Sequence, residues 1–376
     1  MCRSAPAGCL VPEGEGYGGR RRRGVNGFAR VACSGTSSSW PAIDFFALAR
    51  VDIGIPAHGR ARFLVAAIES VRAQTFDDWH LTIREDGPGG LVEAVRPYLS
   101  DPRIEFVASG APVGAAANAT WLLGRGTAPY VAVLHDDDCW DPAWQQRRVA
   151  FLERHPECGF VFSTFREIDA RGRALGERRQ GLSPGVLQPR RLAAELIEDN
   201  IVGPTTPLIR RSALEAVGAR FDPNFPTVYD YDLVVRLALR FPAGYLGLCD
   251  SSWRRHGNQS SFRNYDREPE YRRFLERFAV RLERELPEPR LTEPMKRRRL
   301  GAWLRYMGLN AIEWGDRRKA RRLLLRAVLA DPRELVNPKL VVGAVASTTG
   351  STGSRILAGA RARARQSTLD QHGSRT

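Results

Sequence analysis

Three consecutive carboxylates, Asp136-Asp137-Asp138, follow the apolar run Tyr130–Leu134 and a single histidine, His135. Adjacent like charges repel, and at the end of a buried strand they cost stability unless a cation or ligand compensates. Hard divalent ions such as Mg²⁺ or Mn²⁺ take oxygen ligands, commonly one or two carboxylates together with substrate phosphate. A solvated acidic turn that caps the next helix is the plainer alternative, and Asp141 alone could do that capping. A second acidic pair, Glu85-Asp86 before Gly87, closes another apolar run. A carboxylate there can accept hydrogen bonds from a nucleobase or ribose, or merely shape a turn. A third group, Tyr229-Asp230-Tyr231-Asp232, begins an amphipathic run. Facing a cleft, Asp230 can act as general base toward a hydroxyl; equally, it can cap the helix. The stretch Trp253–Ser260 carries Arg254, Arg255 and His256 in what reads as a loop after a strand, where they can hold a diphosphate or a metal. Asn118, within a small-residue helix, either points into the same cleft or lies on the exposed face.

These groups need a frame. Short apolar runs at Val51–Pro56, Trp79–Arg84, Arg103–Val107, Tyr130–Leu134 and Gly159–Ser163 read as strands. Helical periodicity at Arg62–Ala73, Leu91–Leu99, Val113–Leu123 and Asp141–Arg154 separates them. Strands alternating with helices of this length form βαβ units and a mostly parallel sheet. Ligands of such sheets sit beyond the carboxyl ends of the strands, where His58, Arg60, Asp86 and the three aspartates fall. Arg171–Pro189 reads as a mobile loop, and Thr205–Arg210 and Gly244–Cys249 as strands. Ser212–Val217 reads as a short helix with Ser212 as its cap, and Asp230–Phe241 as an amphipathic helix. Beyond Ser260 the pattern turns helical over Tyr271–Leu286, Leu300–Glu313, Arg317–Leu329 and Val336–Val345. Ala320–Pro332 alone resembles one helix of a tetratricopeptide hairpin.

Composition narrows the function. The 376 residues have a net charge of +15, yet Val51–Ser260 is near neutral at −2 while Ser261–Thr376 carries +13. Only three of the 57 basic residues are lysines (Lys296, Lys319, Lys339), a coding bias more than a phosphate-binding surface. Nucleic acid is therefore not the expected partner, whereas the basic end can attract anionic lipid. No run approaches the roughly 18 apolar residues of a membrane span. The first residues lack the apolar stretch of a secretory signal. Six cysteines without a CxxC pair argue against a disulfide or zinc scaffold and for a reducing cytoplasm. Residues 1–49, rich in Gly, Ser, Pro and Arg, read as a disordered leader, or as a stretch upstream of the true start codon.

Taken in order, the motifs resemble family 2 glycosyltransferases of the GT-A fold. Val51–Arg60 is similar to that family's opening strand and turn, and Ala67–Phe76 to the end of its first helix. Glu85-Asp86-Gly87-Pro88 stands where the family has Asp-Asp-Gly-Ser. Gly114–Asn118 matches a further segment, Asp136–Asp138 the metal and nucleotide motif, and Asp230 the catalytic aspartate. The resemblance covers Val51 to Ser261 and implies a Rossmann-like sheet flanked by helices in residues 50–262; outside it, periodicity and charge set a helical region at 263–350 and a basic flexible tail at 351–376. It implies an inverting, metal-dependent transfer from a nucleoside-diphosphate sugar, chiefly a UDP-sugar, to a hydroxyl of a glycan, lipid-linked or small-molecule acceptor. Pro56, His58, Arg60, Asp86, Asn118, Asp136 and Asp137 would bind the donor, with Asp86 at the base and Asp136 at the ribose. Asp137, Asp138 and His256 would hold Mn²⁺ or Mg²⁺, and Asp230 would be the base, with Asp232 as fallback.

Three departures stand out. Ala57-His58-Gly59 replaces the usual Thr-Tyr-Asn and leaves His58 to stack on the base; Glu85 replaces an Asp; Tyr229 replaces a Glu. The loops Arg171–Pro189 and Asn200–Pro207 are the expected acceptor walls. The C-terminal helices are expected to cover the acceptor side, to meet the inner face of the membrane peripherally, or to form a homo-oligomer contact. Two other readings compete: a sugar-phosphate nucleotidyltransferase, which lacks here its Gly-rich first loop, and a non-catalytic binding protein on a degenerate transferase scaffold. A dinucleotide-binding dehydrogenase is excluded by the missing GxGxxG after the first strand.

Overall fold

The computed structural model describes residues 49–178, 181–257, 259 and 267–348. The expected tail and all of the expected leader but Ala49 lie outside the described residues. Two compact units emerge, one built from 1–193 and 200–255, the other from 194–199 and 256–376.

The first unit is a ten-stranded sheet. Its strands are β1 (Val51–Ala57), β2 (Trp79–Glu85), β3 (Ile104–Ala108), β4 (Tyr130–Val133), β5 (Cys139–Trp140), β6 (Phe160–Ile168), β7 (Ala174–Arg178), β8 (Gly185–Leu187), β9 (Leu208–Arg210) and β10 (Ala243–Arg254). They run in the order β3-β2-β1-β4-β9-β6-β10-β5, with β7 on β6 and β8 on β10. β1 to β4 are parallel, as the alternation of apolar runs and helices requires. Past β4 the sheet is mixed: β9 opposes both β4 and β6, β6 and β10 are parallel, and β5, β7 and β8 pair antiparallel. The parallel strands are buried on both faces: Val51, Ile53 and Ile55 of β1 and Leu81 and Ile83 of β2 are apolar, while Asp52, His80 and Thr82 on the alternate face are buried and polar. The helix Ala61–Arg72 covers one face through Leu64, Ala67, Ile68 and Val71. Ala115–Leu123 comes so close that a Cβ on Gly54 of β1 would sit 2.8 Å from Leu122 Cβ.

Several expectations need correction. The supposed loop Arg171–Pro189 contains β7 and β8, whose half-exposed, glycine-bearing segments show no hydrophobic period. Leu91–Leu99 breaks into the helix Val92–Val95 and a 3₁₀ turn, Arg96–Tyr98, because Pro97 has no N–H to continue a helix. The helix expected from Asp141 starts at Trp144, since Cys139–Trp140 pair with β10 first. Ser212 is no cap: Arg210 holds that position, with no side-chain bond.

The second unit is helical over Glu268–Glu285, Glu293–Glu313, Arg317–Ala330 and Pro338–Thr348. Tyr271 stacks on Trp303 at 4.7 Å between ring centroids. Asp316 caps its helix by accepting from the Lys319 N–H, as a carboxylate at an N-cap does. All three lysines of the chain lie in this unit.

Candidate active site

The three aspartates form the tight turn between β4 and β5, closed by the Asp138 N–H donating to the His135 carbonyl at 3.1 Å. The turn splays the carboxylates apart. Asp136 points toward the end of β1, where Arg60 pairs with it at 2.5 Å and the His58 N–H donates to it at 2.9 Å. Arg60 also reaches Asp137 at 3.2 Å. Asp138 points toward β10: its Oδ1 accepts the Arg254 N–H at 2.8 Å, while the Arg254 guanidinium donates to the Asp137 carbonyl at 2.8 Å. Three carboxyl groups thus face two arginines.

Asp138 Oδ2 is buried with no hydrogen-bond partner. Burial, reinforced by the charge of Asp137, holds the Asp138 pKa well above the usual carboxylate range. Asp136 rises less, to about 6, because Arg60 offsets part of its burial. Ligand atoms of His135, Asp137 and Asp138 lie within 4.8 Å of one another. An unpartnered, buried carboxylate oxygen beside a second carboxylate and an imidazole fits a divalent cation. His256, expected as a ligand, falls in the second unit, where its backbone N–H donates to Gln259 Oε1. His135, not among the expected ligands, joins the two aspartates in this set. Its adjacency to the aspartates was visible in the sequence; the turn that folds it back over Asp138 was not.

The nucleotide-side residues are braced differently from expectation. Both oxygens of Asp86 accept backbone N–H groups, from Val113 at 2.5 Å and Gly114 at 3.0 Å. Gly114 sits at φ +90°, which favours glycine and lets its N–H turn toward Asp86. Glu85 is likewise engaged, accepting from the Leu91 N–H. Asn118 does not line an open cleft: it is 1% exposed and bridges the Arg84 carbonyl and guanidinium at 3.0 and 2.8 Å. His58 is exposed beyond the half-buried Pro56 that ends the apolar run. Its Nδ1 lies 3.0 Å from the Asp86 carbonyl, which can only accept, so Nδ1 is the donor.

Asp230 lies within the first turn of the helix Tyr229–Arg240 and accepts from the Tyr231 N–H; it is not the cap, which is Val228. Negative charge there suits the helix dipole. Asp232 cannot serve as fallback, being fully buried and bonded to Arg236 at 2.9 Å. Burial, then the charges of Asp230, Asp137 and Asp136, push the Tyr229 phenol far up, so it stays protonated. That influence sets the start of this helix beside the acidic turn. Arg254, read as part of a loop, ends β10 and clamps Asp137 and Asp138 from there.

Residues 52–218 match the family model described as glycosyl transferase family 2. They form a family 2 glycosyltransferase domain. Over 221 residues the chain is 23% identical to chondroitin synthase of Escherichia coli, covering 57% of this chain and 30% of that enzyme. Over 145 residues it is 26% identical to an uncharacterized glycosyltransferase of Rickettsia bellii, covering 38% of this chain and 20% of the relative. The chain thus spans less than a third of the length of these two relatives. The fold is similar to that of S. aureus TarS 1–349 solved with UDP-GlcNAc, at TM-score 0.55 and 12% identity over 85% of this chain and 92% of that one.

Proposed function

We propose that the chain moves a sugar from a nucleoside-diphosphate sugar, a UDP-sugar, to a hydroxyl, with inversion at the anomeric carbon. The observation that carries this reading is Asp138 Oδ2, a buried carboxylate oxygen without a hydrogen-bond partner, 3.9 Å from His135 Nδ1, past the carboxyl end of a central strand in a family 2 domain. Asp138, Asp137 and His135 would hold Mn²⁺ or Mg²⁺, which would supply positive charge to offset the negative charge developing on the departing diphosphate. Arg60 and Arg254 keep the turn from flying apart and fix the directions of its carboxylates. Asp86 orders the Val113–Gly114 backbone on the base side, and the exposed His58 ring offers a face for stacking. The bond from the anomeric carbon to the diphosphate oxygen breaks as the acceptor oxygen bonds the opposite face of that carbon. The acceptor proton passes to the Asp230 carboxylate. Tyr229, protonated beside Asp230, is a donor that can orient that carboxylate.

The test is release of UDP from a panel of UDP-sugars, with Mn²⁺ and with EDTA, by the wild-type chain and Asp138→Asn. Ion-dependent release lost in the variant supports the reading. No release from any donor, together with no melting shift from UDP plus Mn²⁺, overturns it.

A further inference from the structure

The helix Arg317–Ala330 buries Ala320, Leu323, Leu324 and Ala327, yet leaves Leu325 and Leu329 62% and 74% exposed. Four residues apart, these leucines share one face, and the exposed Arg318 and Arg322 fall on the same line one and two turns earlier. The 3₁₀ turn that follows, Pro332–Val336, exposes Leu335 and Val336 by 60% and 84%. Val341 and Lys339, both exposed, continue the segment. From Arg317 to Val341 there are eight basic and two acidic residues. Both acids are already paired, Asp331 with Arg333 and Glu334 with Arg305.

Exposed leucines scattered singly need no explanation, but several within one strongly basic segment mark an interaction surface. Its chemistry selects the occupant. A second copy presenting the same face would set arginine against arginine. Residues 349–376 carry five arginines and one aspartate, so like charge also opposes covering by that segment. A nucleic acid answers the charge and offers nothing to the leucines. An anionic bilayer answers both, with phosphate heads for the guanidinium groups and acyl chains for the leucines. No described helix is long and apolar enough to cross a membrane, so contact through this face is along the surface. We propose that the segment Arg317–Val341 is a docking face for anionic lipid bilayers.

The full chain is sedimented with phosphatidylcholine vesicles containing about 30% phosphatidylglycerol and with phosphatidylcholine alone. Binding to the anionic vesicles is expected, at least ~10-fold weaker on the neutral ones and falling as salt rises. Leu325→Asp with Leu329→Asp, and separately Arg318→Gln with Arg322→Gln, each weaken it by at least ~10-fold. Melting is unchanged to within about 2 °C, since exposed positions tolerate substitution. Leu325→Gln with Leu329→Gln repeats the test should the aspartates disturb folding. Equal binding to both vesicle types, retention by both leucine variants, or a dimer that these variants dissociate without any vesicle binding overturns the proposal.

Discussion

Asp138→Asn separates function from stability by sign. Without a divalent ion, ionising Asp138 leaves a charge on a fully buried carboxylate, beside Asp137 and with Oδ2 lacking a hydrogen-bond partner. Its pKa is raised, so the group favours the folded state fully below the ordinary carboxyl value and loses that advantage as pH climbs through the raised one. Asp136 acts in the same direction, between the ordinary 3.8 and about 6. Stability in EDTA therefore falls as pH rises from about 4 through about 6, where Asp136 titrates, and Asp138 adds to the fall in the same direction. Asparagine removes the charge and keeps Oδ1 to accept the Arg254 N–H, held at 2.8 Å in the wild type. An unsatisfied buried polar group costs about 1–3 kcal/mol, more if charged. Relief of even about 1 kcal/mol corresponds to a Tm rise of about 2–4 °C for a domain of this size. Mn²⁺ at about 100 times its Kd adds about 2.7 kcal/mol to the wild type and nothing to the variant. Melts in EDTA and in Mn²⁺, at pH 5 and pH 8, read all of this. A variant that melts below wild type in EDTA at pH 8, or shifts equally with Mn²⁺, refutes the assignment of Asp138 as an ion ligand awaiting charge.

Other outcomes follow from the same geometry. Asp230→Asn lowers turnover by about 10²-fold or more while UDP binding, read by calorimetry, stays within about twofold, as loss of a base rather than a donor contact requires. Arg60→Gln strips Asp136 of its 2.5 Å partner and destabilises by about 3–5 kcal/mol, measured by urea unfolding near pH 8. The loss shrinks near pH 5, where Asp136, raised to about 6 even with Arg60 present, takes a proton. Arg148→Met leaves Asp250 charged and buried, 2.9 Å from where its guanidinium stood, with a similar cost of about 3–5 kcal/mol. Burial alone would lift Asp250, and it is chiefly Arg148 that holds it below the usual range.

The parallel half of the sheet was legible because Val51–Ala57, Trp79–Arg84 and Tyr130–Val133 are short runs with an apolar residue at least at every second position and stand between periodic helices. The reversed strand β9 was not, since direction depends on which neighbours a strand meets in space, and three residues carry no sign of it. Polar β7 escaped for want of a period. Within the site, residue type pointed to the acidic turn and strand end. What the chain order could not reveal was which partners the side chains would find. Asn118 and Asp86 looked like ligand contacts, but Arg84 and the Val113–Gly114 backbone claim them, and those lie 27 to 34 residues away. Arg254 lies a hundred and sixteen residues from Asp138, and its role is invisible in the chain order because only the pairing of β10 with β5 brings it there.

The confinement of lysine to positions 296, 319 and 339 has a practical consequence. Every side-chain amine belongs to the helical unit, and the family 2 domain between residues 52 and 218 has none. Amine-reactive dyes, crosslinkers and acetylating agents will therefore mark the helices and spare the sugar-transfer domain. Lys339, exposed, offers the readiest handle; Lys296 is shielded by Glu276 and Glu293. A surface-immobilised preparation coupled this way keeps the acidic turn free of covalent modification.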